Sequence, residues 1–315
     1  MKKSLIAGII ALSFGISAQA YAKDLNAIDV LVGDFSGIAT IDLDKLAANK
    51  MIGDAMNQNQ AALDKELAIL KEAGIDYKKD IDSVTVAATD KGISCFVVDA
   101  KISLVEAIPK IAASSKAELK IVDYNGIKLY DDNSETVALI SDKRLIGCQN
   151  AIDIKPSIDN ARSDKPKSLK ERNSTLNSMY AQTPASADIR VAGKMSSHLR
   201  KQVANYKLDG ENGAALKVED IDAGSVSISF ASGLDIQAIA KMKSDASAST
   251  GSSILNATVN SLLSDPSLKD IGLDFLAKAV KIQADKKNIK GQIKLNNDQL
   301  ATIVALTGAL SGGAK

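Results

Sequence analysis

Tryptophan is absent from this 315-residue chain, histidine occurs once, cysteine twice, and aromatic residues make up only 3% of it. Each scarcity removes a class of function. Single-stranded nucleic acid is held largely by stacking on aromatic side chains, and few are on offer. By analogy the same shortage counts against carbohydrate binding. One histidine and two cysteines leave too few nitrogen and sulfur donors for an ordinary zinc site. No G-x-S-x-G, H-E-x-x-H, Walker A or dinucleotide G-x-G-x-x-G occurs; in Gly33-Asp34-Phe35-Ser36-Gly37 the serine stands one place too late for a nucleophile elbow. These absences move the reading away from catalysis, and neither a cofactor nor a metal is expected.

Long apolar runs are missing too, except at the start. Lys2 and Lys3 precede an apolar stretch from Leu5 to about Ile16, and Ala18-Gln19-Ala20 and Ala20-Tyr21-Ala22 follow. This is the pattern of a secretory signal peptide, residues 1–22, cleaved after Ala20 or Ala22. Roughly 12 apolar residues are too few to span a bilayer, which needs about 20. No cysteine near the cleavage site can carry a lipid anchor, and no aromatic residue ends the chain as in an outer-membrane barrel. A soluble protein of the periplasm or the extracellular medium is expected. Removing the leader takes two of 39 basic residues and none of 38 acidic ones, leaving 37 against 38 and a formal charge of −1. So balanced a chain gives no electrostatic reason to expect nucleic acid or an anionic membrane as partner.

About 293 residues then remain, enough for two domains. Between Ile152 and Pro184 the chain gathers three prolines and dense charge. The boundaries that follow are 23–154 for an N-terminal domain, 155–185 for a connector and 186–315 for a C-terminal domain. Within the connector, Lys155 to Pro166 reads as loop and Ser168 to about Ala181 as a helix stopped by Pro184.

A hairpin of alternating apolar residues followed by a helix recurs on both sides of the connector, at Ser83–Ile111 and at Ala279–Thr307. An offset of 196 pairs Val84 with Val280, Val86 with Ile282, Ile93 with Ile289 and Leu104 with Leu300. In the later copy Lys281, Gln283, Lys290, Gln292 and Lys294 are polar, so Val280, Ile282 and Ala284 share the other face with Ile289, Gly291 and Ile293. That register needs a four-residue loop, Asp285 to Asn288. The equivalent loop is Thr89 to Gly92, with Asn288 and Gly92 as the left-handed positions. It sets Cys95 in the core beside Val84, Val86, Ile93 and Val97.

A third hairpin, Ser225–Met242, places Val226, Ile228 and Phe230 on one face; a three-residue loop around Gly233 adds Leu234, Ile236 and Ala238 to it. Further strands are expected at 38–43, 119–123, 127–130, 136–141, 144–148 and 188–193. Helices are expected at about 46–73, 104–113, 197–206, 253–263, 271–279 and 298–310, with a fraying tail from Gly308. The fold class is α+β, as two related halves. Each is an antiparallel sheet with helices on one face and a wetter second face.

Cys95 and Cys148 are an even pair in an oxidising compartment, and a two-residue turn at Asp142-Lys143 brings Cys148 opposite Val137 and beside Ile146. Two readings stay open: a disulfide, or two buried thiols acting as small apolar residues. A nucleophilic Cys95 would lack access and a neighbouring base. His198, near Ser196, Ser197 and Arg200 at a helix start, reads as a surface residue rather than a base or ligand. The acidic run Asp131-Asp132-Asn133-Ser134-Glu135 lacks the glycine and ligand spacing of an EF-hand and reads as a solvated turn. Apolar stripes in Gln60–Ala73 and Ser253–Ala279 serve either to cover a sheet or to line a lipid pocket.

The stretches GIATIDLDKL, LKEAGIDYKKDIDSVTVA, YNGIKLY and MYAQTPASADIRVAG resemble those of uncharacterised secreted bacterial proteins built from repeated strand-helix-hairpin units. That resemblance implies no activity and transfers no catalytic residue. The leading functional expectation is a non-enzymatic envelope or secreted protein that binds a macromolecular partner, or itself, through an exposed sheet edge or face. Second comes a carrier of an apolar small molecule, and third a hydrolase with a carboxylate site.

Overall fold

A computed structural model describes residues 25–58, 68–72, 74–105, 120–133, 135–203, 207–210 and 214–312. The leader 1–22 and most of the helix expected at 104–113 lie outside them. The chain is α+β, and it divides into two compact units at Ser174/Thr175, a point inside the stretch 155–185.

In the first unit the antiparallel order is β1 (Gly37–Asp42), β2 (Ile81–Thr89), β3 (Gly92–Ala100), β7 (Arg144–Cys148), β6 (Thr136–Ser141), β5 (Ile127–Asp131) and β4 (Lys120–Tyr124). The expected helix over 46–73 is broken near its start. Short helices α1 (Ala27–Val30) and α2 (Leu43–Ala48) are followed by α3 (Lys50–Gln58) and α4 (Ala68–Glu72). Asn49 makes the break: its backbone N–H closes α2, and its side-chain oxygen accepts from the N–H groups of Met51 and Ile52.

The largest departure concerns Lys155–Pro166. Instead of a loop it belongs mostly to helix α5 (Ala151–Arg162), started by Asn150, whose side chain accepts from Ile152 N and Asp153 N. Ile154, Ser157, Ile158 and Ala161 are buried at helical spacing, and this burial outweighs the interior Pro156. α5 packs on β3, β6 and β7, while α2 packs on β2. The centre of this sheet is therefore covered on both faces, and five consecutive residues of β3, Ser94 to Val98, are buried. A wetter second face does not describe it. The stretch expected as one helix over 168–181 is two, α6 (Leu169–Arg172) and α7 (Ser174–Tyr180), divided at Asn173.

Two bulges decide which side chains point where. At the β2–β3 turn the expected register holds, with Ala88 opposite Ile93 and Thr89 opposite Gly92. Ser94 is then left over and Cys95 pairs with Ala87. The carbonyls freed there are used: Gln149 N–H donates to Ser94 O and Gln149 Nε2 to Ile93 O. A second irregularity, between Leu139 and Ser141, sets Cys148 opposite Thr136 rather than Val137. Phe96 and Val98 thus join Val137, Leu145 and Leu70 in one core cluster. Gly147 makes room for the Phe96 ring, since a Cβ there would lie 2.2 Å from it.

In the second unit the order is β13 (Val280–Asp285), β14 (Asn288–Leu295), β12 (Leu234–Met242), β11 (Ile221–Ser229) and β8 (Ile189–Lys194). The β13–β14 register is the expected one, tightened to a two-residue turn; Lys286, not Asn288, takes the left-handed conformation at φ 53°. β11 and β12 also pair as expected, Ile228 with Ile236 and Val226 with Ala238. Gly233, at φ 123°, lies where a Cβ would sit 2.0 Å from the Leu295 carbonyl oxygen, so no side chain fits. A small hairpin, β9 (Lys207–Asp209) with β10 (Ala215–Lys217), was not expected. Helix α8 (Ser197–Val203) is followed by α9 (Asp245–Leu263), which is capped by Ser244 and packs on β12, β13 and β14. Of the helix expected at 271–279 only α11 (Leu276–Ala279) forms, preceded by α10 (Pro266–Asp270); α12 (Asn297–Gly312) closes the unit against β14.

Candidate functional site

Cys95 and Cys148 form a disulfide, as directly paired residues of β3 and β7. Both are buried. The bulge at Ser94 puts Cys95 on the sheet face opposite to the expected one. It shares that face with Thr85, Ala87 and Val97, not with Val84 and Val86. A buried bridge has no thiolate to offer, so no chemistry gathers here.

His198 is exposed and its Nε2 lies 3.0 Å from the Gln202 amide nitrogen, one turn away on α8. In the acidic run expected as a solvated turn, Asn133 N donates to Asp131 and Glu135 N to Asp132, but Glu135 itself is buried rather than solvated. Among the described residues no group of three or more metal-capable side chains is assembled. Carboxylates do converge near the end of the β1–β2 pair, where Asp42, Asp44 and Asp99 act on Asp82. Asp42 caps α2 and pairs with Lys45, Asp44 pairs with Lys101 and Asp99 with Arg144. Burial, then Asp42 and Asp44, raise the Asp82 carboxyl above the ordinary range, while Lys101 lowers it. Three of the four are thus committed to cations or caps, the arrangement of an ion-paired surface rather than of an acid and base poised over substrate.

The second unit offers a different geometry. Because strands alternate, its five strands sort into two faces. On one face, Ile189, Ile228, Ile236, Ile293 and Val280 form a continuous row across all five, and Val191, Val226, Ala238, Gly291 and Ile282 form the next. A third row, which includes Ala240 and Ile289, lies in the cluster with Met242 of β12 and Ala248 of α9. α9 reaches β12 to β14 but not β8, so the apolar face opens toward the β8 side. The paired Val191 and Val226 are 39% and 36% exposed, and the Ile row is half-buried. On the opposite face Gln237, Ile239, Lys281, Gln283, Lys290 and Gln292 border a shallow cleft. The alternation of β11 to β14 shows both faces in the sequence. What it does not show is how far α9 extends, and hence which valines stay uncovered.

The chain is thus an α+β protein with an antiparallel sheet, and in its second unit the apolar sheet face is partly exposed at Val191 and Val226. No family model and no curated protein matches the chain. Three crystal forms of the protein TP0453 are similar to it in chain path at 9% identity. Form IV has a TM-score of 0.49, covering 89% of this chain and 97% of that one. Form III gives 0.47, with 89% and 98% covered, and form I 0.44, with 89% and 97%. A likeness of this degree transfers neither residue nor activity. No helix among the described residues is long and apolar enough to cross a membrane.

Proposed function

We propose that this is a non-enzymatic periplasmic or secreted protein that binds another protein through the uncovered apolar face of its second unit. The observation that carries the reading is the Val191–Val226 pair, directly opposite each other on β8 and β11 and more than a third exposed, beside the half-buried Ile189, Ile228 and Ile236. β-branched residues in register make a flat, rigid surface whose apolar area gains by removal from water, and monomeric proteins keep such patches small. An oxidising compartment suits the Cys95–Cys148 bridge.

The test compares the mature protein with its Val191→Glu/Val226→Glu variant by crosslinking in the periplasm and by native mass spectrometry, with thermal melts to establish equal folding. The expected result is a crosslinked protein, foreign or a second copy, that the variant loses. The same species from both chains overturns the reading. An added mass of several hundred daltons that organic solvent releases would replace it with the carrier of an apolar small molecule.

A further inference from the structure

The polar face of the second unit's sheet carries a cleft of about 180 Å³, bordered by side chains from β12, β13 and β14. The register fixes its layout. Gln237, Gln292 and Lys281 stand in one row across the three strands, and Ile239, Lys290 and Gln283 in the next. Two strand spacings make the row about 10 Å wide.

The polar groups are oriented before any ligand arrives. The Asp235 side chain accepts from the Gln292 amide nitrogen at 2.9 and 3.2 Å and from the Gln237 amide nitrogen at 3.4 Å. Asp235 thereby sets the orientation of both amides, and their two carbonyl oxygens face the cleft as acceptors for hydroxyl donors. Lys290 is held by Asp285, whose carboxyl it draws below the usual range. Lys281, exposed on the edge strand, has no carboxylate partner among the described residues. The row therefore presents one uncommitted cation beside two fixed acceptors, with Ile239 as an apolar spot next to them.

We propose that this cleft binds a hydroxylated carboxylate of the sugar-acid class, a uronate either free or within an acidic polysaccharide. The carboxylate meets Lys281, the ring hydroxyls donate to Gln237 and Gln292, and a C–H face of the ring rests on Ile239. Scarce aromatics argue against neutral sugars, which depend on stacking; charge and fixed acceptors take that role here. The shallow, open form implies weak binding, with a Kd on the order of 1 mM.

The test titrates glucuronate into the mature protein and follows backbone and glutamine side-chain amide signals by NMR. Saturable shifts centred on Gln237, Gln283 and Gln292 are expected, with glucose and acetate at least ten-fold weaker. Lys281→Met raises the Kd at least ten-fold, while Val191→Glu/Val226→Glu, on the other face, leaves it unchanged. Tighter binding of polygalacturonate than of the monomer assigns the polymer as source, and equal affinity per unit assigns the free acid. No saturation, equal binding of acetate, or an unaffected Lys281→Met variant overturns the proposal.

Discussion

Asp82 carries the clearest single-residue consequence. Its carboxyl is raised by burial first and by Asp42, Asp44 and Asp99 after that, with Lys101 opposing them. A raised acid binds its proton more readily in the folded chain than in the unfolded one. Its contribution to stability is present at low pH and is lost as pH rises through the carboxylate range. Asp82→Asn removes the charge that the fold resists. Because the residue is largely exposed, the expected gain is no more than about 0.5 kcal/mol at pH 7, vanishing near pH 3 where the wild type is itself protonated. Urea midpoints at the two pH values check it. A loss at pH 7 would mean that the attraction to Lys101 outweighs the three repulsions.

At the scale of elements, the strands were legible, and their parity was legible only where polar and apolar residues alternate. Residues 136–141 and 144–148 read directly as β6 and β7. In β13 and β14 every second residue is polar, so only one register buries the apolar set, and that register is the one formed. Ser94-Cys95-Phe96-Val97-Val98 has no such alternation. Either parity is compatible with a strand covered on both sides, so the bulge at Ser94 leaves no trace in the pattern. α5 was missed for the opposite reason. Pro156 and the surrounding charges look like a linker; the Asn150 cap is a local signal that they mask, and the burial of Ile154 and Ile158 is a tertiary fact. The bulge also carries a prediction, because the parity it imposes puts Cys95 opposite Cys148. That bridge spans a sequence separation of 53 and, in the chain-entropy account, contributes about 4 kcal/mol. Cys95→Ala/Cys148→Ala should lower stability by about that amount in equilibrium denaturation and leave wild-type protein in reductant no less affected. A change under about 1 kcal/mol would show that the pair acts as two packed sulfur side chains and little more.

For the whole molecule, the question is where the fold begins. The first described residues run as a strap along the first unit. Arg144 donates to the Leu25 carbonyl, Arg172 to those of Asp29 and Leu31, and Asn160 to that of Asp29. The Asp29 carboxylate receives Leu169 N–H at 2.6 Å, and Val32 N–H reaches Ser157 Oγ at 2.8 Å. Val30 and Leu31 are fully buried. Cleavage after Ala20 or Ala22 would leave every one of these contacts intact, whereas cleavage a dozen residues further on would remove two buried apolar side chains and several charge-assisted bonds. At about 1.5–3 kcal/mol for each of the two side chains, their burial alone contributes about 3–6 kcal/mol, a large part of a domain's usual stability. The leader expected from the sequence, cleaved after Ala20 or Ala22, predicts a start at Tyr21 or Lys23 by N-terminal sequencing, upstream of every strap contact. A chain started at Gly33 should unfold at markedly lower urea than one started at Lys23. If the shortened chain matched the longer one, the strap would be a passenger on the first unit, and the ordered core would start at β1.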